Sequence, residues 1–152
     1  MRFAIVGAGA IAGLRKGAIE ALEGASLAGV HDMAADRAAA LAGGALGFAT
    51  LGEATGAQEV DAVIICTPPD SHADIAVRAL EAGKHVIVEK PMAPTLAECR
   101  RMIEAARAAQ RVLTVGFNHR YFPAIKEMRA AIRSGRLGEL SHVRGYAGHT
   151  GL

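Results

Sequence analysis

A chain of 152 residues, 51% hydrophobic and 21% charged, is long enough to bury a core and too apolar for a disordered or acidic solvating segment. A formal charge of +2, 4% aromatic residues and no tryptophan argue against a nucleic-acid partner, which needs a basic face or a platform for stacked bases. Cys66 and Cys99 are too few for a disulfide framework or a zinc site and read as thiols of a reducing compartment; no apolar leader and no run near the roughly 20 residues of a bilayer span is present, so a cytoplasmic protein without a membrane partner is expected.

Phe3–Val6 opens the chain as a nearly continuous apolar run, and Gly7-Ala8-Gly9-Ala10-Ile11-Ala12 follows it. Ile11, Leu14, Ala18 and Leu22 then share one face at helical spacing. Ser26–Val30 is a weaker strand, and Leu46–Ala49 a short third one. Ala62–Cys66 leads into Thr67-Pro68-Pro69-Asp70-Ser71-His72, where Asp70 or Ser71 can cap a helix that runs through Leu80 and ends at Gly83. Val86–Val88 leads into Glu89-Lys90-Pro91. Thr95 with Glu98 three residues later forms a capping box for a helix whose inward face is Leu96, Cys99, Ile103 and Ala106. After Val112–Val115, Pro123 and Gly135 frame a last helix with Ile125, Met128 and Ile132 inward. The strands do not alternate with polar residues, so they are buried on both faces. With helices between them, they predict an α/β fold: a doubly wound parallel sheet in three layers. Net charge changes from −2 over residues 1–117 to +4 over residues 118–152, which reads as a solvated helix face.

The glycine-rich turn fits G-x-G-x-x-G/A between a strand and a helix. Gly7 permits the tight turn, Gly9 lets the backbone approach a pyrophosphate, and small Ala12 lets helix and strand pack closely. Ala10 and Ile11 open a helix whose free N–H groups and positive dipole end favour phosphate. Asp32 lies 20 residues beyond Ala12, just past the second strand. A carboxylate there accepts hydrogen bonds from the adenosine ribose hydroxyls and repels a 2′-phosphate, so NAD is expected ahead of NADP. Asp32 as a mere helix cap is the blander reading.

Ligands of such folds sit outside the carboxyl ends of the strands. Thr67–His72 and Glu89-Lys90-Pro91 both fall there. Two charges directly after a buried strand are costly unless they face a cleft. A lysine in that place stabilises alkoxide charge or exchanges a proton with a substrate hydroxyl. The competing reading is a Glu–Lys surface pair. The peptide before Pro91 is cis or trans; sequence leaves it open. His31, His72, His85, His119, His142 and His149 lack paired ligand spacing, so no metal is expected, and Ser71 is not in a G-x-S-x-G elbow.

In order, the glycine-rich turn, Asp32, Thr67–His72, Gly83-Lys84-His85-Val86-Ile87-Val88-Glu89-Lys90-Pro91 and Val115-Gly116-Phe117-Asn118-His119-Arg120 resemble the N-terminal half of the Gfo/Idh/MocA oxidoreductases. The resemblance covers essentially the whole chain, and Glu-Lys-Pro is its most specific element. It implies a Rossmann domain over residues 1–120 that binds NAD(P), and a closing helix, linker and start of a truncated second domain over 121–152, with Glu139–Val143 as that domain's first strand. It implies hydride transfer between nicotinamide and a hydroxyl-bearing carbon of a sugar, cyclitol or similar polyol, with Lys90 as the catalytic lysine. Glu89, Thr67, Pro68 and His72 would line the nicotinamide side, and Asn118 and Arg120 would sit near nicotinamide or substrate. The chain departs from the family in carrying Arg15 where a histidine is frequent, and no Asp-x-x-x-His pattern follows the Rossmann portion.

Three readings follow, sharing fold and cofactor but differing in turnover: the N-terminal portion of a dehydrogenase, a non-enzymatic dinucleotide-binding module, or a truncated product that folds poorly. The chain alone is expected to lack appreciable turnover on polyols, with substrate binding and a homo-oligomer only once a second domain is supplied.

Overall fold

The computed structural model describes residues 1–146, so His149 lies outside the described residues. The strands are β1 (Arg2–Val6), β2 (Ser26–His31), β3 (Leu46–Gly47), β4 (Ala62–Ile65), β5 (His85–Val88) and β6 (Leu113–Val115). They form one sheet in the order β3-β2-β1-β4-β5-β6, and every pairing is parallel. The helices between them are α1 (Ala10–Glu20), α2 (Ala35–Ala42), α3 (Leu51–Gly56), α4 (His72–Glu81) and α5 (Leu96–Ala109). The order reverses between β1 and β4, which places a topological switch point at their carboxyl ends.

Alternate strand residues face opposite layers. Ala4, Val6, Val63, Ile65, Val86 and Val88 pack with residues of α3, α4 and α5. Ile5, Val30, Ile64 and Cys66 pack with residues of α1 and α2. The expected three-layer, doubly wound parallel sheet is what the chain forms.

Local signals act as their chemistry dictates. The Thr95–Glu98 capping box closes both ways: Glu98 N–H donates to Thr95 Oγ1 at 3.2 Å and Thr95 N–H to Glu98 Oε2 at 3.0 Å. Lys84 is buried at the opposite end of the sheet, where its ammonium donates to the carbonyls of Ala57 (2.6 Å) and Val60 (2.8 Å). Those two bonds make Lys84 a structural stitch between the start of β5 and the residues before β4.

Two helix faces differ from expectation. On α1 the buried positions are Ala12 and Ile19, while Leu14 is 69% exposed and Leu22, past the helix end, is exposed too. On α5 Met102 is fully buried beside Ala106, and Leu96 is 77% exposed. In alanine-rich helices several stripes satisfy the 3.6-residue period. The sheet selects the stripe that lets the backbones approach closely, which on α1 means Ala12 rather than Leu14.

The second compact unit begins at Phe117, where the first, Met1–Gly116, ends. It holds a short 3-10 turn, Asn118–Tyr121, and helix α6 (Pro123–Arg133) with Pro123 in its first turn. Ala131 is the buried residue of α6; Ile125, Met128 and Ile132, expected inward, are substantially exposed. Periodicity identifies residues that share a face, not what lies against it. Residues 139–143 form no strand, since a strand exists only with a ladder partner.

Candidate functional site at the carboxyl edge of the sheet

The turn after β1 is held in place by its neighbours. Gly7 has φ +94°, and its N–H donates to the carbonyl of His31 at the end of β2 (2.8 Å). A Cβ on Gly7 would stand 2.8 Å from the carbonyl carbon of Cys66 and 2.8 Å from the nitrogen of Thr67, so the turn touches the backbone leaving β4. Gly9, at the N-cap of α1, is the opposite case: nothing lies within 4 Å of where its Cβ would be. The space in front of Gly9, Ala10 and Ile11 is open, and the first turn of α1 carries no acidic side chain. An open helix N-terminus of this kind suits an anion.

Asp32 joins that turn directly. Its Oδ2 accepts the N–H of Ala8 at 2.7 Å, and its Oδ1 accepts the N–H of Ala34 at 2.8 Å. Those two backbone donors, Ala8 first, hold the Asp32 carboxyl below the usual carboxylate range. The residue is therefore a carboxylate at neutral pH. A carboxylate has about four lone-pair sites, so each oxygen retains acceptor capacity toward a ligand. Asp32 does not cap α2, whose N-cap is Ala34.

The turn after β4 carries Thr67 and Pro68. Thr67 Oγ1 accepts from Ser71 Oγ (2.7 Å), and Pro68 is exposed. Ser71 spends its hydroxyl there and on the Pro68 carbonyl (2.8 Å), rather than on capping α4. His72 corrects an expectation. It is fully buried, with Nε2 2.8 Å from the Thr67 carbonyl and Nδ1 3.0 Å from the Pro91 carbonyl. Its ring ties the turn after β4 to the turn after β5 and presents no face to the cleft.

The turn after β5 separates its two charges. Lys90 is exposed, and the Lys90–Pro91 peptide is cis. Glu89 is 7% exposed and turns away from Lys90 toward Arg15 of α1. Arg15 Nε donates to Glu89 Oε1 at 2.5 Å, and Nη2 reaches the same oxygen. The Glu–Lys surface pair is thus absent, and a buried Arg–Glu pair across 74 residues of sequence stands in its place. Arg15 lies on the stripe of α1 that the fold buries, between Ala12 and Ile19, and a charge on such a stripe requires a partner. Cys66, beneath this pair, is pushed up to about 12 by burial and then by the negative charge of Glu89.

Gly7, Gly9, Ala10, Ile11, Asp32, Thr67, Pro68, Glu89 and Lys90 therefore lie on the turns along one edge of the first unit. Asn118 and Arg120 are exposed on the first turn of the second unit. Two surface hollows, one of about 350 Å³ at the end of α5 and one of about 550 Å³ lined mainly by α4, include none of these residues. Among the described residues no three His, Cys, Asp or Glu side chains cluster as metal ligands, and no helix is long and apolar enough to cross a membrane.

Residues 1–117 match the family model described as an oxidoreductase family with an NAD-binding Rossmann fold. The chain belongs to the Gfo/Idh/MocA oxidoreductase family. Inositol 2-dehydrogenase of Rhizobium meliloti (strain 1021) is 37% identical over 145 residues, which are 94% of this chain and 44% of that protein. The WlbA dehydrogenase of Bordetella pertussis, solved in complex with NADH and UDP-GlcNAcA, is 33% identical with a TM-score of 0.85, over 91% of this chain and 41% of its own. UDP-N-acetylglucosamine 3-dehydrogenase GnnA of Acidithiobacillus ferrooxidans is 34% identical with a TM-score of 0.79, over 86% of this chain and 41% of its own. This Gfo/Idh/MocA chain thus spans less than half the length of these relatives, and its residues 1–117 carry the match to the NAD-binding Rossmann model.

Proposed function

We propose that the chain binds NAD in preference to NADP and forms the cofactor portion of a dehydrogenase acting on a hydroxyl-bearing carbon of a sugar, cyclitol or similar polyol. The observation that carries the reading is the Asp32 carboxylate hydrogen-bonded to the N–H of Ala8 in the glycine-rich turn. One anchored negative charge stands beside an open helix N-terminus, an arrangement that suits a ribose diol next to a pyrophosphate and disfavours a 2′-phosphate.

The residues present fit such a cofactor. The open backbone at Gly9, Ala10 and Ile11 would take the pyrophosphate, Asp32 the adenosine ribose, and Thr67, Pro68 and Glu89 the nicotinamide side. When bound, the nicotinamide supplies the hydride acceptor or donor. Lys90 Nζ, exposed beside the anchored Glu89, takes up or returns the proton of the substrate hydroxyl and stabilises alkoxide charge. By the family resemblance Asn118 and Arg120 would serve the nicotinamide or the substrate. The relatives named as inositol and nucleotide-sugar dehydrogenases support the substrate class.

The test is a thermal melt of the chain with saturating NAD⁺ or NADP⁺. Ligand at a hundred times its Kd stabilises by about 2.7 kcal/mol, which at this size raises the midpoint by roughly 5–10 °C. A shift with NAD⁺ that is smaller with NADP⁺ is expected; a melt indifferent to both refutes the cofactor assignment. Because the chain spans less than half of its relatives, turnover is assigned to the length that they span. NADH production from myo-inositol by these 152 residues alone, abolished by Lys90→Ala, would overturn that division of labour.

A further inference from the structure

The Arg15–Glu89 pair does something that neither residue's place in the sequence suggests. Arg15 stands on α1, one turn beyond the glycine-rich turn. Its guanidinium reaches to Glu89, which immediately precedes Lys90. Both side chains are largely removed from solvent, at 23% and 9% exposure. The route runs past Gly116, at the end of β6: a Cβ there would come within 3.1 Å of Arg15 Nη2 and 3.2 Å of both Glu89 oxygens. Two donors of Arg15 converge on one carboxylate oxygen, so the guanidinium is committed to Glu89 and not to the open space before Gly9. A charge-assisted contact of this kind fixes geometry as well as charge.

We propose that Arg15 is a positioning residue: its pair with Glu89, seated over Gly116, braces the pyrophosphate end of the cleft against the turn that carries Lys90 and so sets the span available to a dinucleotide. The inference rests on the cofactor reading above. It extends that reading by assigning Arg15 and Gly116 to the geometry of the site and by denying Arg15 a direct phosphate contact. The brace matters for a ligand that spans both ends and not for one that occupies the adenosine end alone.

The experiment compares NADH with ADP, each titrated by calorimetry against the parent chain, Arg15→Lys, Arg15→Met, Gly116→Ala and the double variant Arg15→Met/Glu89→Gln. The double variant removes both charges, so no unpaired buried charge remains if Arg15→Met alone fails to fold. Expected is a loss of NADH affinity of about tenfold in the Arg15 and Gly116 variants, with ADP affinity within about twofold of the parent. An equal fall for both ligands in Arg15→Lys and Arg15→Met would make Arg15 a phosphate ligand and overturn the brace. Unchanged affinity for both, with only a lower melting point, would make the pair purely structural and also overturn it. If the parent bound neither ligand, the cofactor reading itself would fall and the brace with it, an outcome distinct from the other two.

Discussion

Alanine at Gly7 and alanine at Gly9 add the same methyl to one turn, yet the structure assigns them opposite consequences. At Gly7, φ of +94° is unfavourable for an L side chain and costs about 1–2 kcal/mol. The added methyl would also stand 2.8 Å from the backbone of Cys66 and Thr67, and overpacking of that kind costs about 1–3 kcal/mol. Together these give about 2–5 kcal/mol of lost stability, a fall in melting midpoint of roughly 5–15 °C. At Gly9 the backbone is φ −78°, ψ −175°, which alanine adopts freely, and no heavy atom lies within 4 Å of the new Cβ. The unliganded chain should lose less than about 1 kcal/mol. On the proposed cofactor reading the methyl instead fills the space through which a pyrophosphate would reach the first N–H groups of α1, so the NAD⁺-induced shift should shrink or vanish. Circular-dichroism melts with and without NAD⁺ read both effects. A Gly7→Ala chain that melts like the parent would refute the close-approach argument. A Gly9→Ala chain that keeps the full NAD⁺ shift would refute the proposed phosphate site.

Three further outcomes are expected. The folded-state pKa of Asp32 is depressed by the N–H groups of Ala8 and Ala34, so its stabilising effect is fully present above the usual carboxylate range and is lost as pH falls through the depressed value. Asp32→Asn should accordingly flatten the loss of stability below about pH 4, read from urea melts across pH, and an unchanged acid limb would contradict the assignment. Cys66, buried and pushed up to about 12, should resist an aromatic disulfide reagent at neutral pH while half-buried Cys99 reacts; two rapidly titrating thiols in the native chain would refute this. Met102→Ala, at a fully buried position, should cost about 2–5 kcal/mol. Leu96→Ala, at 77% exposure, should stay within about 0.5 kcal/mol. The reverse order by urea denaturation would mean that α5 buries its other face.

Much of the candidate site's geometry was legible because it rests on local rules. Gly7 and Gly9 are needed where a strand turns sharply into a helix, and Asp32 comes at the end of the next strand; both facts depend only on short-range chain geometry. His72 and Arg15 were not legible in the same way. The ring of His72 bridges carbonyls of Thr67 and Pro91, and the partner of Arg15 is 74 residues away, so each orientation exists only once β4 and β5 lie side by side.

The alternation of apolar strands and helices, the glycine pattern, the Thr95–Glu98 capping box and the Pro123 start of α6 were decided by the amino-acid order alone, because each is settled within a few residues of chain. The tertiary structure decided which stripe of α1 and α5 is buried, which charge accompanies Glu89 and which way His72 faces. Alanine-rich helices offer several stripes of similar hydrophobicity, and only the sheet beneath them selects the one that packs, through Ala12 on α1 and through Met102 and Ala106 on α5. Charges are similar: the sequence shows Glu89 directly after a buried strand, and only the packed fold brings Arg15 to it.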